Sequence, residues 1–407
     1  MTKIEAPRGT HDVLPSDQPL WQQVTAEMER LCALYGYRRI QTPVFEDTEL
    51  FARTSGAGSD IVQKEMYTFE DRSGRSLTLR PEGTAPICRA YVEHGMKQEP
   101  QPVKLYTLAT MYRYATPQRG RYREHAQLSL ECIGSADPAV DGEVIQYYDT
   151  LLRNLGVTRY ELQLNSIGDR ACRPRYVERL NAWLDANADV LDDDARQKRA
   201  TNPLRVFDVK SERVREALED APKIGDSLCD ACAEHFGQVR AHLDTYGVAY
   251  TVTPTLVRGL DYYTRTTFEF IGPDESAQAS TICGGGRYDY LVEEIGGAPT
   301  PGIGFGAGIE RLVLSLELEG IAAQQPKLAV FVAVEPGQNG LTVVQELRAA
   351  GIAADTDYAG RSLKGQLGYG QKHAEATLVL GAGGWTLRRG GELDVPIRDV
   401  DHLRELL

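Results

Sequence analysis

The sequence predicts an α+β catalytic domain built on an antiparallel sheet, with a helical insertion and a C-terminal α/β module. Three observations predict it. Short strands punctuated by Gly and Pro fill residues 39–133 and return between 250 and 308. A stretch rich in Asp, Glu, Arg and Ala, with helical periodicity, separates them at 169–249. From 327 onward strands alternate with helices. The expected boundaries are 1–168 and 250–320 for the two parts of the catalytic domain, 169–249 for the insertion and 327–407 for the last module.

The elements follow in order. Residues 16–36 read as a helix, because Trp21, Val24, Met28, Leu31 and Tyr35 recur at spacings of three and four; Ser16 stands at the cap and Gly36 at the stop. Short strands come next at 39–45, 66–71 and 76–80, broken by Pro43, Gly56, Gly58 and Gly74. Strands at 103–107, 110–114 and 124–133 complete the first part, and the first and last alternate apolar with polar residues. Strand-like, glycine-rich sequence returns at 250–270, 281–289 and 302–308. The following helix carries one apolar stripe of Ile309, Leu312, Val313 and Leu316. Past the polar linker 319–326 come a buried strand at 328–334, a helix at 338–350, a strand at 352–356, a helix at 362–373 and a strand at 376–380; a hairpin around Gly390-Gly391 and a final helix end the chain.

Composition narrows the function. A chain of 407 residues, 42% hydrophobic and 25% charged, belongs to the soluble globular class and suits two or three domains. No apolar run approaches a membrane span, and the N-terminus has no apolar stretch behind its basic residues, so the cytoplasm is the expected compartment. Seven scattered cysteines argue against a disulfide framework. The pair Cys229 and Cys232, with His235 three residues on, lacks a second CxxC, so no metal site is expected there. A net charge of −13 weighs against a non-specific nucleic-acid binder, but Arg113, Arg119, Arg121 and Arg123 concentrate positive charge locally.

Four motifs carry chemistry. In Leu79-Arg80-Pro81-Glu82-Gly83-Thr84-Ala85 a carboxylate and a hydroxyl sit together past a strand end; they suit an ammonium ligand, and a plain loop is equally open. The arginine-rich segment after Tyr112 returns through a strand whose alternation puts Gln127, Ser129 and Glu131 on one face and Leu128, Leu130 and Cys132 on the other. Arginines converging on that polar face resemble a polyphosphate clamp. Arg258-Gly259-Leu260-Asp261-Tyr262-Tyr263 brings a guanidinium near two phenols, which in a strand would point to opposite faces. Gly284-Gly285-Gly286-Arg287-Tyr288-Asp289 and the alternating glycines 302, 304, 306 and 308 leave bare backbone against which a flat ligand could lie, with Arg311 one helical turn beyond. No βαβ unit surrounds them, which excludes a dinucleotide fingerprint.

Together these motifs resemble motifs 2 and 3 of class II aminoacyl-tRNA synthetases. Within that class LRPEGTA, PQRGRYRE, LNSIG (164–168), LVRGLDYYTRTTFEF and GGGRYD, with RGTHDVLP at 8–15 and KEMYTF at 64–69, resemble the histidyl-tRNA synthetase family across essentially the whole chain. The resemblance implies a class II catalytic fold and a C-terminal anticodon-binding domain. It also implies ATP-dependent activation of L-histidine and transfer to tRNA(His), with Mg2+ on the ATP phosphates. Arg113 and Arg258 then correspond to the catalytic arginines at the α-phosphate, and Arg121 and Arg311 to further phosphate contacts.

For histidine, Glu82, Thr84 and Gln127 match the positions at the α-amino group, and Glu131 and Tyr263 those that read the imidazole nitrogens; Tyr262 faces away and supports the pocket. A pocket that bonds both nitrogens rejects apolar competitors by about 10⁴ or more without editing. The resemblance places Gln118 and Arg119 at the tRNA acceptor end, and Arg361, Lys364 and Lys372 near tRNA phosphates in the last domain. Pro43 falls at motif 1, implying a homodimer. Two departures stand out: Ala115 occupies a position commonly held by a carboxylate, and His125 replaces the aromatic expected to stack on adenine. They favour a rival, a non-aminoacylating paralogue serving as a histidine-binding regulatory subunit of histidine biosynthesis. The three arginines 113, 258 and 311 weigh against it.

Overall fold

The computed structural model describes residues 3–56, 59, 61–273, 281–390 and 392–407; Gly58 and Gly391, read above as a break and a turn, lie outside the described residues. The chain divides into two compact units, Met1–Ala323 and Gln324–Leu407, and the division falls within the polar linker.

The strands of the first unit are β1 (Arg38–Arg39), β2 (Phe45–Asp47), β3 (Tyr67–Glu70), β4 (Ser76–Leu79), β5 (Val103–Tyr112), β6 (Glu124–Ile133), β7 (Glu161–Ser166), β8 (Thr251–Val252), β9 (Thr264–Ile271), β10 (Thr281–Arg287) and β11 (Gly302–Gly308). Eight form one sheet in the order β1-β5-β6-β11-β10-β9-β7-β8, and β2-β4-β3 form a small separate sheet. The large sheet is antiparallel except at its two end pairs, which are parallel. The apolar face of β6, with Leu128, Leu130 and Cys132, packs into a core shared with the helices Gln18–Leu34, Pro138–Asn154 and Ile309–Leu318. Its polar face is left for the site.

Several sequence expectations shift. The strands expected at 103–107 and 110–114 are one strand, because the ladder to β6 runs unbroken through Leu108 and Ala109. The strand expected at 39–45 splits around Pro43, and Arg80 caps the break: its guanidinium donates to the carbonyls of Thr42 (2.9 Å), Pro43 (3.2 Å) and Thr110 (2.9 Å). The first helix starts at Gln18 with Asp17 at the cap position, not Ser16, because Asp17 is tied back to the Leu14 N–H (3.1 Å); Gly36 ends it at φ 77° as expected. Its buried stripe includes Leu20 in place of Trp21.

The sequence reading assigns no helix to Thr84–Glu93 or Pro138–Asn154. Asp137 caps the second by accepting from the Ala139 N–H (2.9 Å), and Pro138 pre-sets its first turn, so that start was legible. The region 169–249 is helical as expected, but its last helix, Asp230–Tyr246, buries Val239 and Leu243 in the main core.

In the second unit β12 (Leu328–Val334), β13 (Ala354–Thr356), β14 (Ala374–Gly381), β15 (Gly384–Arg388) and β16 (Val395–Ile397) form a sheet in the order β13-β12-β14-β15-β16. β12 runs parallel to both its neighbours, β15 is antiparallel to both of its own, and three helices complete the expected α/β module. Arg361 there pairs with Asp357 (2.5 Å) and stacks over Tyr369 (4.6 Å).

One buried ion pair locks the central strands to the helix below them. Arg287 and Asp141 are both fully buried and meet twice, at 2.7 and 3.0 Å. Thr266 adds a bond to Asp141 (2.6 Å), and the same guanidinium donates to the carbonyls of Ser135 (3.0 Å) and Asp137 (3.2 Å). β9, β10 and the Pro138–Asn154 helix therefore converge on one charge pair. We expect Asp141→Ala, which leaves the buried guanidinium with Asp289 (3.1 Å) as its carboxylate partner, to cost up to about 3–5 kcal/mol in urea unfolding, and Arg287→Met with Asp141→Leu to recover most of it. Equal losses in the single and double variants would contradict this account.

Candidate active site

A cavity of about 320 Å³ opens on the polar face of the large sheet, a size suited to a small-molecule ligand. One wall is the turn before the helix Thr84–Glu93. There the Glu82 carboxylate accepts from the Thr84 N–H (2.7 Å) and the Ala85 N–H (2.9 Å), closing the helix N-terminus. Burial nonetheless holds the Glu82 carboxyl above the usual carboxylate range. A cationic ligand group beside it would relieve that penalty.

Arginines also line the cavity. Arg113 leaves the end of β5, anchors its Nε on the Pro81 carbonyl (2.7 Å) and lines the cavity. Arg121 reaches in from the loop and pairs with Glu65 (2.7 Å). Arg311, one turn into its helix, is braced on the carbonyls of Gly120 (3.1 Å) and Thr281 (2.5 Å). Arg258 pairs with Glu269 of β9, and both line the cavity. Two of the four clustered arginines thus converge. Arg119 turns instead to a neighbouring groove near Glu317 (3.7 Å), and Arg123 stacks on Tyr114 (3.7 Å). Gln118 closes the tight turn to Arg121, and its Nε2 is buried with no partner among the described residues.

Thr84, His125, Gln127, Tyr262 and Tyr263 line the cavity as well. Gln127 donates to Ser129 (2.9 Å), as the predicted strand alternation requires. Burial, with Arg113 beside it, pushes the His125 imidazole down to about 3, so the ring is neutral. Ala115 also lines the cavity, and its carbonyl accepts from Arg123 (3.2 Å).

Three readings are corrected. Tyr262 does not face away: residues 253–263 are a loop before β9, strand alternation does not apply, and both tyrosines line the cavity with ring centroids 4.6 Å apart. Glu131 is not on the wall. It is completely buried, with Thr84 donating to one oxygen (2.7 Å) and Tyr288 to the other (2.6 Å). The glycine strands are not bare either. A Cβ at Gly304 would strike the Glu131 carboxylate, one at Gly306 the Gln127 amide (2.8 Å), and one at Gly284 the Arg258 guanidinium. These glycines make room for protein side chains, and only Gly308 stays open toward the cavity.

Sequence reasoning missed Glu65, Glu269, Glu310, Tyr122 and Tyr288. Glu269 had a signal, since alternation along Thr267-Phe268-Glu269-Phe270 puts a carboxylate on the polar face; Glu65 and Tyr288 had none, because their partners are distant in sequence. We expect Gly304→Ala to destabilise the fold by about 1–3 kcal/mol in chemical denaturation, since the clash includes the Leu130 backbone. Gly308→Ala, whose nearest neighbour is 3.9 Å away, should cost less than about 1 kcal/mol.

Comparison with known proteins identifies the family. The family model described as histidyl-tRNA synthetase matches residues 9–312. A histidine–tRNA ligase of Caldanaerobacter subterraneus subsp. tengcongensis is 48% identical over 93% of this chain and 91% of its own. The crystal structure of apo S. aureus histidyl-tRNA synthetase superposes with a TM-score of 0.83 at 36% identity, covering 99% of both chains. A Bacillus halodurans structure titled an ATP phosphoribosyltransferase regulatory subunit/histidyl-tRNA synthetase shares the fold, at TM-score 0.63 and 24% identity over 89% of this chain and 94% of that one. The chain belongs to the histidyl-tRNA synthetase family.

Proposed function

We propose that this chain activates L-histidine with ATP and transfers the histidyl group to tRNA(His). The observation that carries the reading is the polarity of one cavity, lined both by a desolvated carboxylate, Glu82, and by Arg113, Arg121, Arg258 and Arg311. An amino acid with its ammonium at Glu82 directs its carboxylate toward the arginines, where the α-phosphate of ATP is held. Attack of that carboxylate oxygen on the α-phosphorus forms histidyl-adenylate and releases pyrophosphate. Fixed guanidinium groups stabilise the charge that develops, without rearranging at the moment of reaction.

Arg258 and Arg113 are the catalytic pair, and Arg121 and Arg311 hold the outer phosphates. Glu65 and Glu269 keep Arg121 and Arg258 in place before ATP arrives and yield them to phosphate. Glu82, Thr84 and Gln127 bind the amino end of histidine. Tyr263 and Tyr262 meet the imidazole, while Glu131 acts behind Thr84 by holding its hydroxyl. The neutral His125 ring stacks on adenine. Mg2+ accompanies ATP and supplies charge neutralisation at the phosphates. Glu310 fits it, because one oxygen accepts from the Ala126 N–H (2.8 Å) and the other has no partner among the described residues.

The acceptor end of tRNA meets Gln118 and Arg119, and the anticodon meets the second unit, where Lys364 and Lys372 face phosphates. Exposed Val44, Phe45 and Phe69, the last two edge to face at 6.2 Å beside Pro43, support a homodimer through the small sheet. No helix among the described residues is long and apolar enough to cross a membrane, and the seven free cysteines suit a reducing cytoplasm.

Histidine-dependent ATP–pyrophosphate exchange tests the reading. Arg258→Ala should lower its turnover about 10²–10³-fold with little change in the KM for histidine. Glu82→Gln should instead raise that KM about 10–100-fold, since it removes the charge that meets the ammonium. Absence of exchange in the unaltered protein, with histidine still bound, would favour the regulatory paralogue.

A further inference from the structure

The sequence leaves Cys229 and Cys232 without further ligands, but the fold supplies two from another segment. Asp169 and Cys172 follow β7 directly, and with Cys229 and Cys232 they place four ligand atoms within 4.8 Å of one another. The sulfurs of Cys172 and Cys232 are 3.9 Å apart, and the Cys172 sulfur is 3.6 Å from Asp169 Oδ1. A tetrahedron of Zn–S bonds near 2.3 Å has edges of about 3.8 Å, so the spacing suits a metal at the centre. It is too long for a disulfide.

The surroundings are those of a built site. Cys172 is the N-cap of the helix Arg173–Ala186, and Cys229 is the N-cap of the helix Asp230–Tyr246. Both sulfurs therefore sit at positive helix ends, where a thiolate is favoured. Backbone N–H groups point at the sulfurs and the carboxylate: Asp169 N–H to Cys172 Sγ (3.4 Å) and Ala171 N–H to Asp169 Oδ1 (2.9 Å). A Cβ at Gly168 would collide with the Cys172 sulfur (2.6 Å), and this glycine has φ 63°. Arg265 lies against the other Asp169 oxygen (3.4 Å), supplying positive charge beside three thiolates and a carboxylate. His235 is not part of the cluster; its ring faces Asp141 (3.6 Å).

We propose that Asp169, Cys172, Cys229 and Cys232 form a structural Zn2+ site. Three thiolates and one carboxylate, in a closed tetrahedral arrangement, select zinc over hard, octahedral cations. Its place in the fold gives it a task. Arg173, next to Cys172, donates to the carbonyls of Tyr263 (2.8 Å) and Gly168 (3.3 Å), and Arg265 N–H donates to Gly168 (2.7 Å). The metal would thus tie the start of the helical insertion and the start of its last helix to the turn that carries Tyr263 into the cavity.

The test measures metal directly on the full chain. Protein made in zinc-supplemented medium and dialysed under reductant should retain about one zinc per chain by elemental analysis. Replacing zinc with Co2+ should produce thiolate-to-cobalt charge-transfer absorption. Cys229→Ser, at the half-buried position, should weaken zinc binding at least about 100-fold while the circular dichroism spectrum stays native. Asp169→Cys should keep the metal, and Cys88→Ser, a buried cysteine outside the cluster, should leave it unchanged. A wild-type protein that keeps no zinc and gives no cobalt–thiolate band overturns the proposal. So does a Cys229–Cys232 disulfide in the freshly isolated chain. Because metal content is read without turnover, the result is independent of the proposed catalytic function.

Discussion

The cavity depends on space left by missing side chains on β10 and β11. At Gly284, Gly304 and Gly306 the backbone lies so close to Arg258, Glu131 and Gln127 that no Cβ fits between them. A guanidinium, a carboxylate and an amide are thereby pressed against the middle of an otherwise well-packed sheet. Their counterparts across the sheet are Phe268, Phe305 and Leu130, which fill the helix-facing core. A sheet with an apolar face and a polar one is ordinary; here the polar face is enclosed, and enclosure strengthens every interaction inside it.

Enclosure also sets the electrostatics. Glu82 and Glu131 are both buried carboxylates with raised proton affinity, and desolvation is the main cause for each. They differ in what is left for a ligand. Glu131 has both oxygens occupied by the hydroxyls of Thr84 and Tyr288, so it organises its neighbours. Glu82 accepts from two backbone N–H groups of the helix it caps, has Arg113 nearby, and lines the cavity. Two of the cavity's arginines are paired with carboxylates, Arg121 with Glu65 and Arg258 with Glu269. The buried Arg287–Asp141 pair, which faces no ligand, holds rigid the strands on which this depends.

Most of the architecture was legible because it is written in local pattern. Alternation placed Gln127, Ser129 and Glu131 on one face of β6, and the change of texture at residues 169–249 marked the helices of the insertion. The failures share a cause. Tyr262 was misplaced because alternation was applied to a loop, and Glu131 because the hydroxyls that occupy it come from residues 47 positions before and 157 after it. The cysteine pair looked isolated because its companions lie 60 residues upstream.

By itself, the sequence determined the class of fold, the family and the chemical inventory: which arginines, carboxylates, phenols and thiols are present, and on which kind of element. Tertiary structure alone decided which of them meet. Strand alternation and helix periodicity are properties of neighbouring residues, and they are carried by the local chain. Whether a carboxylate faces a ligand or a tyrosine, whether a glycine admits adenine or a side chain, and whether Cys229 and Cys232 stand alone or in a group of four depend on contacts between distant segments. Those contacts form only when hydrophobic burial brings the segments together, and no local pattern encodes them.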